Sequence, residues 1–269
     1  MSSQSVSQLT QSAPASVAIA GTSRPRSIAG MLQDDHSPAL SVALHLLPGA
    51  LTGVAYLLLR QPVIALGFPS AMALYFAIPL ALVPSSFGLL LYLGYQQHGH
   101  LTLQGVVRNR ERISLRTYML YVPLVFATSV IVVVVGQSVV DAGLQKTLFV
   151  WMPTADYGLV GGYAKPVLIV AYALMAISLS LEVAAEELYF RGFLLPRMRY
   201  SGCWTTPVHS FLYALYHLWI PWRLVSLAVG MLPLVWAVRR TRNLYIGVIA
   251  HALLDSFYII FGVSFILTR

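Results

Sequence analysis

Residues 166–196 read PVLIVAYALMAISLSLEVAAEELYFRGFLLP, and this stretch decides the fold. It opens on an uncharged apolar run and then carries Glu182, Glu186, Glu187 and Arg191. About 20 apolar residues suffice to cross a bilayer as a helix, so the segment reads as a membrane span with four charges inside it. A central acid or base in a span costs at least about 2.5–3.5 kcal/mol, which makes each one a functional-site hypothesis by default.

The rest of the chain supports the membrane reading. Of 269 residues, 58% are hydrophobic and 10% charged, and the mean hydropathy is +0.73. An average soluble domain has about 45–50% apolar and about 25% charged residues. So few charges cannot clothe a compact domain of this size, which excludes a soluble enzyme, a nucleic-acid-binding domain or a disordered regulator as a description of the whole. Apolar segments run over about 39–59, 63–95, 117–140, 166–196, 205–221, 224–238 and 243–267. The expected fold is all-α: a polytopic bundle of seven transmembrane helices, or eight if Pro69, Pro79 and Pro84 divide the long second segment. Residues 1–38 are Ser-, Gln- and Ala-rich and read as a disordered polar tail. Residues 39–269 then form a single transmembrane domain with its chemistry in 166–267.

The formal charge of +8 points to the lipid bilayer and not to nucleic acid, because the basic residues sit between apolar runs. Arg108, Arg110, Arg112 and Arg116, then Arg197 and Arg199, then Arg239, Arg240 and Arg242 fall in alternate connections, while the others hold only Arg60, Lys146, Lys165 and Arg223. The positive-inside bias predicts a multi-pass protein of the cell membrane with a cytoplasmic N-terminus, and an extracytoplasmic loop over 141–165. The single cysteine, Cys203, excludes an intrachain disulfide.

Spacing organises the charged residues. Glu187 and Arg191 are four apart and can pair, leaving Glu186, about 100° round the helix, to face a cavity. His251 and Asp255 also share a face. Counted from the basic ends of their segments at about 1.5 Å per residue, Glu186, His217 and His251 lie roughly 16, 18 and 14 Å deep. Three segments thus bring them to one depth. His45 and His209 read as hydrogen-bonded packing residues. Neutral imidazoles and carboxylates suit a divalent metal such as zinc, with Glu186, His217, His251 and Asp255 as the candidate ligands and a glutamate to take the proton of an activated water. A water-filled site of this kind is expected to open toward the cytoplasmic side.

Glu186-Glu187-x-x-x-Arg191, an aromatic-x-x-x-His217 and His251-x-x-x-Asp255, in that order on successive segments, resemble the CPBP family of intramembrane metalloproteases, which includes the CAAX prenyl endopeptidases and the bacterial Abi proteins. The resemblance covers about 166–267. It implies a membrane endopeptidase acting on a peptide or membrane-protein substrate, prenylated or not. By resemblance Glu186 activates water, Glu187 and Arg191 are the supporting pair, His217 and His251 bind a metal or stabilise the oxyanion, and Asp255 closes the last motif. Tyr213 stands where the family usually has Phe. Two other readings stay open: a non-catalytic membrane immunity or scaffold protein, and a proton-coupled transporter using the same residues as a relay.

Overall fold

The computed structural model describes residues 28–153 and 162–268. Tail residues 1–27, with Arg24 and Arg26, and Asp156 lie outside the described residues. Every regular element among the described residues is helical, so the chain is an all-helical membrane protein. A short α1 (Ile28–Gln33) precedes α2 (Pro38–Ala65), which Ser37 caps by accepting from the Leu40 amide, with Pro38 in its first turn. Then come α3 (Ala71–His98), closed by Gly99 at φ +74, and α4 (Leu115–Thr147), capped by Ser114. They are followed by α5 (Lys165–Arg197), α6 (Thr205–Tyr216), α7 (Leu224–Gly230), α8 (Leu232–Thr241) and α9 (Tyr245–Leu267).

Several boundaries differ from the sequence expectation. Among the described residues α2, α3, α4 and α5 are each long and apolar enough to cross a membrane, and the pair formed by Pro221–Gly230 and α8, bent by 43°, adds a fifth where it counts as one span. The seven or eight crossings are not reached by this count. α6 has only 12 residues, roughly 18 Å of helix, too short for the hydrocarbon core by itself. Pro79 and Pro84 do not divide α3: both open π-helical turns inside a continuous helix. Arg60 is part of α2, not of a connection. Asp141 belongs to α4, not to a loop; it is buried, accepts from the Ser226 hydroxyl at 2.6 Å and stands 3.7 Å from the Arg223 Nε. The described end of the tail is held in place: the Arg197 Nε donates to the Gln33 carbonyl, and the His36 amide to the Arg197 carbonyl.

The basic connections meet at one end of the bundle. The Arg108 amide donates to the Gly192 carbonyl at 2.8 Å, and the Leu244 amide to the Asn109 carbonyl at 2.7 Å. Arg242 pairs with Glu111 at 3.3 Å, and Arg239 reaches the Gly202 carbonyl at 2.7 Å. At the other end lie Thr147, Lys165 and Ala71. Exposed Leu120, Ile131, Val139 and Ile177 stud the outer faces of α4 and α5, as lipid contact requires.

α2 clamps the motif-bearing half. A Cβ built on Gly49 would lie 1.8 Å from the Tyr216 carbonyl oxygen, so only glycine lets α2 approach the end of α6 this closely. The Leu44 carbonyl accepts the Tyr189 hydroxyl at 2.8 Å. His45 and His209 meet at 3.1 Å, both fully buried, in the packing role expected of them.

Candidate active site

Glu186 is the last α-helical residue before α5 loosens into a π-helical stretch over Glu187–Leu194. Such wide turns recur at functional sites. Glu186, Glu187 and Arg191 are all buried. Both oxygens of Glu186 are held from α6, where the Tyr213 hydroxyl donates to Oε2 and the Tyr216 hydroxyl to Oε1. A carboxylate offers about four lone-pair sites, so the two hydroxyls do not exhaust it; Glu182, one turn back on α5, and His251 also face it.

Glu187 turns the other way. Its Oε1 lies 3.4 Å from the Arg191 Nη1 and 3.0 Å from the His251 Nδ1. The expected ion pair therefore forms, and it also ties α5 to α9. Arg191 lies over the Tyr213 ring, 3.9 Å from its centroid, and an Nη2 points at the Met231 sulfur. A Cβ at Gly247 would come within 2.4 Å of the Glu187 Oε2, so a larger residue there has to push that carboxylate off Arg191 and His251.

His251 sits among three carboxylates. Besides Glu187, the Glu186 Oε2 lies 4.0 Å from its Nδ1, and the Asp255 Oδ2 3.8 Å from its Nε2. His217 terminates α6, and its Nδ1 stands 2.9 Å from the Tyr213 carbonyl oxygen. A carbonyl only accepts, so Nδ1 carries the proton and Nε2 keeps a lone pair. The ring packs against Tyr216, with centroids 4.2 Å apart.

Glu186, His217, His251 and Asp255 line one cavity of about 280 Å³, as does Glu182 one turn along α5. Its remaining walls are largely apolar, including Leu74, Ile78, Val133 and Met175. The direction of this cavity differs from the sequence expectation. On α5 its lining residues are Tyr172, Met175, Leu179, Glu182 and Glu186, a single stripe running from Glu186 away from the basic end. Toward the basic end the helix is sealed by Tyr189, Phe190, Arg191 and Phe193, none of which is exposed. Another cavity, of about 460 Å³, lies among Arg199, Arg239 and Arg242 at the basic end and holds none of the candidate residues.

The donors suit zinc in kind but not in arrangement. Among the described residues no three His, Cys, Asp or Glu side chains are grouped so as to hold a metal ion. Glu186 is engaged by two hydroxyls, and the His251 Nδ1 by Glu187. The four expected ligands therefore share a cavity without forming a ready coordination shell.

Two contributors are not evident from the sequence motifs. Tyr213 enters the motif only as a ring, yet its hydroxyl makes a contact that Phe cannot. Tyr216 belongs to no motif. The Tyr213-x-x-Tyr216 spacing, which puts two hydroxyls on one face of α6, is the signal that could have found both.

Comparison with known proteins agrees with the motif reading. The sequence model of the Type II CAAX prenyl endopeptidase Rce1-like family matches residues 165–257, about a third of the chain. The match begins at the first residue of α5 and extends past Asp255, so it contains all six candidate residues. The resemblance to CAAX-type endopeptidases, a protease family, is thereby shown over this stretch. No curated protein and no solved structure matches the chain.

Proposed function

We propose that the protein is an intramembrane endopeptidase in which Glu186 is the general base. The observation that carries this reading is the placement of Glu186: a buried carboxylate, braced by two tyrosine hydroxyls, at the polar end of an apolar cavity that also holds His217, His251 and Asp255.

A water between Glu186 and His217 is oriented by two acceptors, a carboxylate lone pair and the His217 Nε2. Glu186 takes its proton as the oxygen attacks the peptide carbonyl, then returns that proton to the departing amine. With carboxylates facing both ring nitrogens, His251 acts as an imidazolium: Glu187 fixes its Nδ1–H, and its Nε2–H, beside Asp255, is positioned to donate to the oxyanion that develops. Arg191 offsets the charge of Glu187 and keeps that carboxylate turned toward His251. The apolar walls suit a hydrophobic or lipid-modified segment. The bundle sits with its basic end in the cytoplasm, by the positive-inside bias of the connections gathered there.

The test is hydrolysis by protein reconstituted in liposomes and offered a library of membrane-proximal peptides. Wild type should cleave a subset, and Glu186→Gln should fold normally and cleave none. Cleavage by Glu186→Gln at the wild-type rate would overturn the assignment. Turnover by neither protein, with intact folding, would favour a scaffold or immunity role.

A further inference from the structure

The catalytic cavity has one direction. On α5 it extends from Glu186 back to Tyr172, a distance of about 21 Å along the helix axis. α4 starts at the basic end, and it contributes Val133 and Gln137, roughly 27 and 33 Å along the helix from Leu115. α3 runs the opposite way, and it contributes Leu74, Tyr75 and Ile78, from the first turns after Ala71. Three helices of differing polarity thus agree that the cavity occupies the half of the bundle remote from the arginine-rich connections. Gln137 is exposed, Glu182 is half-buried, and the opposite route is closed by the unexposed side chains of Tyr189, Phe190, Arg191 and Phe193.

We propose that the substrate enters from the extracytoplasmic side: the protein cleaves polypeptide segments exposed on, or emerging from, that face of the membrane, with an apolar side chain seated among Leu74, Ile78, Val133 and Met175. This rests on the protease reading and on the cytoplasmic placement of the basic end. A segment arriving from the cytoplasm would have to pass the packed aromatic layer and the Glu187–Arg191 pair. One arriving from the other side runs along the cavity's apolar lining, past Trp219, Ile220 and Arg223, and meets the carboxylate last. That order also keeps the polar groups of the substrate backbone out of lipid until they reach polar partners.

The probe is a small, charged, membrane-impermeant thiosulfonate. In a Cys203→Ser background, Gln137→Cys, Met175→Cys and Arg240→Cys are each treated in intact spheroplasts and in inverted vesicles. Gln137→Cys and Met175→Cys should be modified in spheroplasts and spared in inverted vesicles, and Arg240→Cys the reverse. Modification of Met175→Cys only in inverted vesicles, or in neither preparation while Gln137→Cys reacts, would overturn the proposal. Labelling requires no turnover, so this result is independent of the Glu186→Gln assay. Loss of the protease reading would leave the labelling pattern standing, and reversal of the pattern would leave the hydrolysis standing.

Discussion

The His251 Nδ1 stands 3.0 Å from Oε1 of Glu187 and 4.0 Å from Oε2 of Glu186. The second glutamate of the motif, not the first, therefore orients the histidine of α9. The same oxygen holds Arg191 at 3.4 Å. Glu187 is thus a positioning residue for both the cation on its own helix and the imidazole across from it.

Removing either partner of this pair leaves an uncompensated buried charge, a loss of about 3–5 kcal/mol. Glu187→Ala and Arg191→Ala should each lower the unfolding midpoint in detergent sharply, and the double variant should lose less than the sum. Additive losses would mean that the two side chains do not act together.

Gly247 lets α9 approach Glu187. Gly247→Ala places a methyl group 2.4 Å from Oε2, and relieving that overlap should cost about 1–3 kcal/mol. Hydrolysis should fall with it, because His251 moves with the same helix. Gly143→Ala on α4, where a Cβ meets nothing within 4 Å, is the matched control and should be neutral or slightly stabilising. Equal thermal stability of the two variants would contradict the close crossing.

Each tyrosine hydroxyl on Glu186 is a hydrogen bond to a charged group, worth about 1.5–3 kcal/mol. Tyr213→Phe and Tyr216→Phe should therefore reduce kcat by roughly 10- to 150-fold where that energy is realised in the transition state. Tyr213→Phe should lower the melting temperature less than Arg191→Ala does, since it loses one hydrogen bond and keeps the ring beneath Arg191. Wild-type kcat in both variants would remove the tyrosines from the mechanism.

Chelation separates the two accounts of the histidines. With no three potential ligands grouped among the described residues, activity should survive prolonged dialysis against a strong chelator and should not rise on adding zinc. Loss on chelation with recovery on zinc addition would show that Glu186, His217, His251 and Asp255 rearrange into a metal shell.

The chemistry is legible in the sequence, and the path of the chain less so. Glu187 with Arg191, and His251 with Asp255, follow from four-residue spacing, and the structure brings both pairs together. The gathering of the basic connections at one end is likewise visible as a charge bias. Hydropathy alone does not locate the ends of the apolar runs. Arg60 continues α2, and Asp141 continues α4 because Ser226 and Arg223 receive it. Nor does a 3.6-residue period register the π-helical stretches in α3, α4 and α5, where each wide turn resets the facing of the residues after it. The cavity's direction escapes the sequence for a related reason. Depth arithmetic locates Glu186 along its helix but does not reveal that the aromatic residues after it pack shut.

The contacts of α2 bear on how the protein could be divided. The part that matches the family begins at residue 165, yet the end of α6 that carries Tyr216 and His217 rests on a glycine notch more than a hundred positions upstream. The region bearing the motifs is therefore not a portable module. Grafted or expressed alone, it would lack the wall that holds Tyr216 against Glu186, whereas two separately translated halves, cut between α4 and α5, retain every surface needed to find each other in the bilayer.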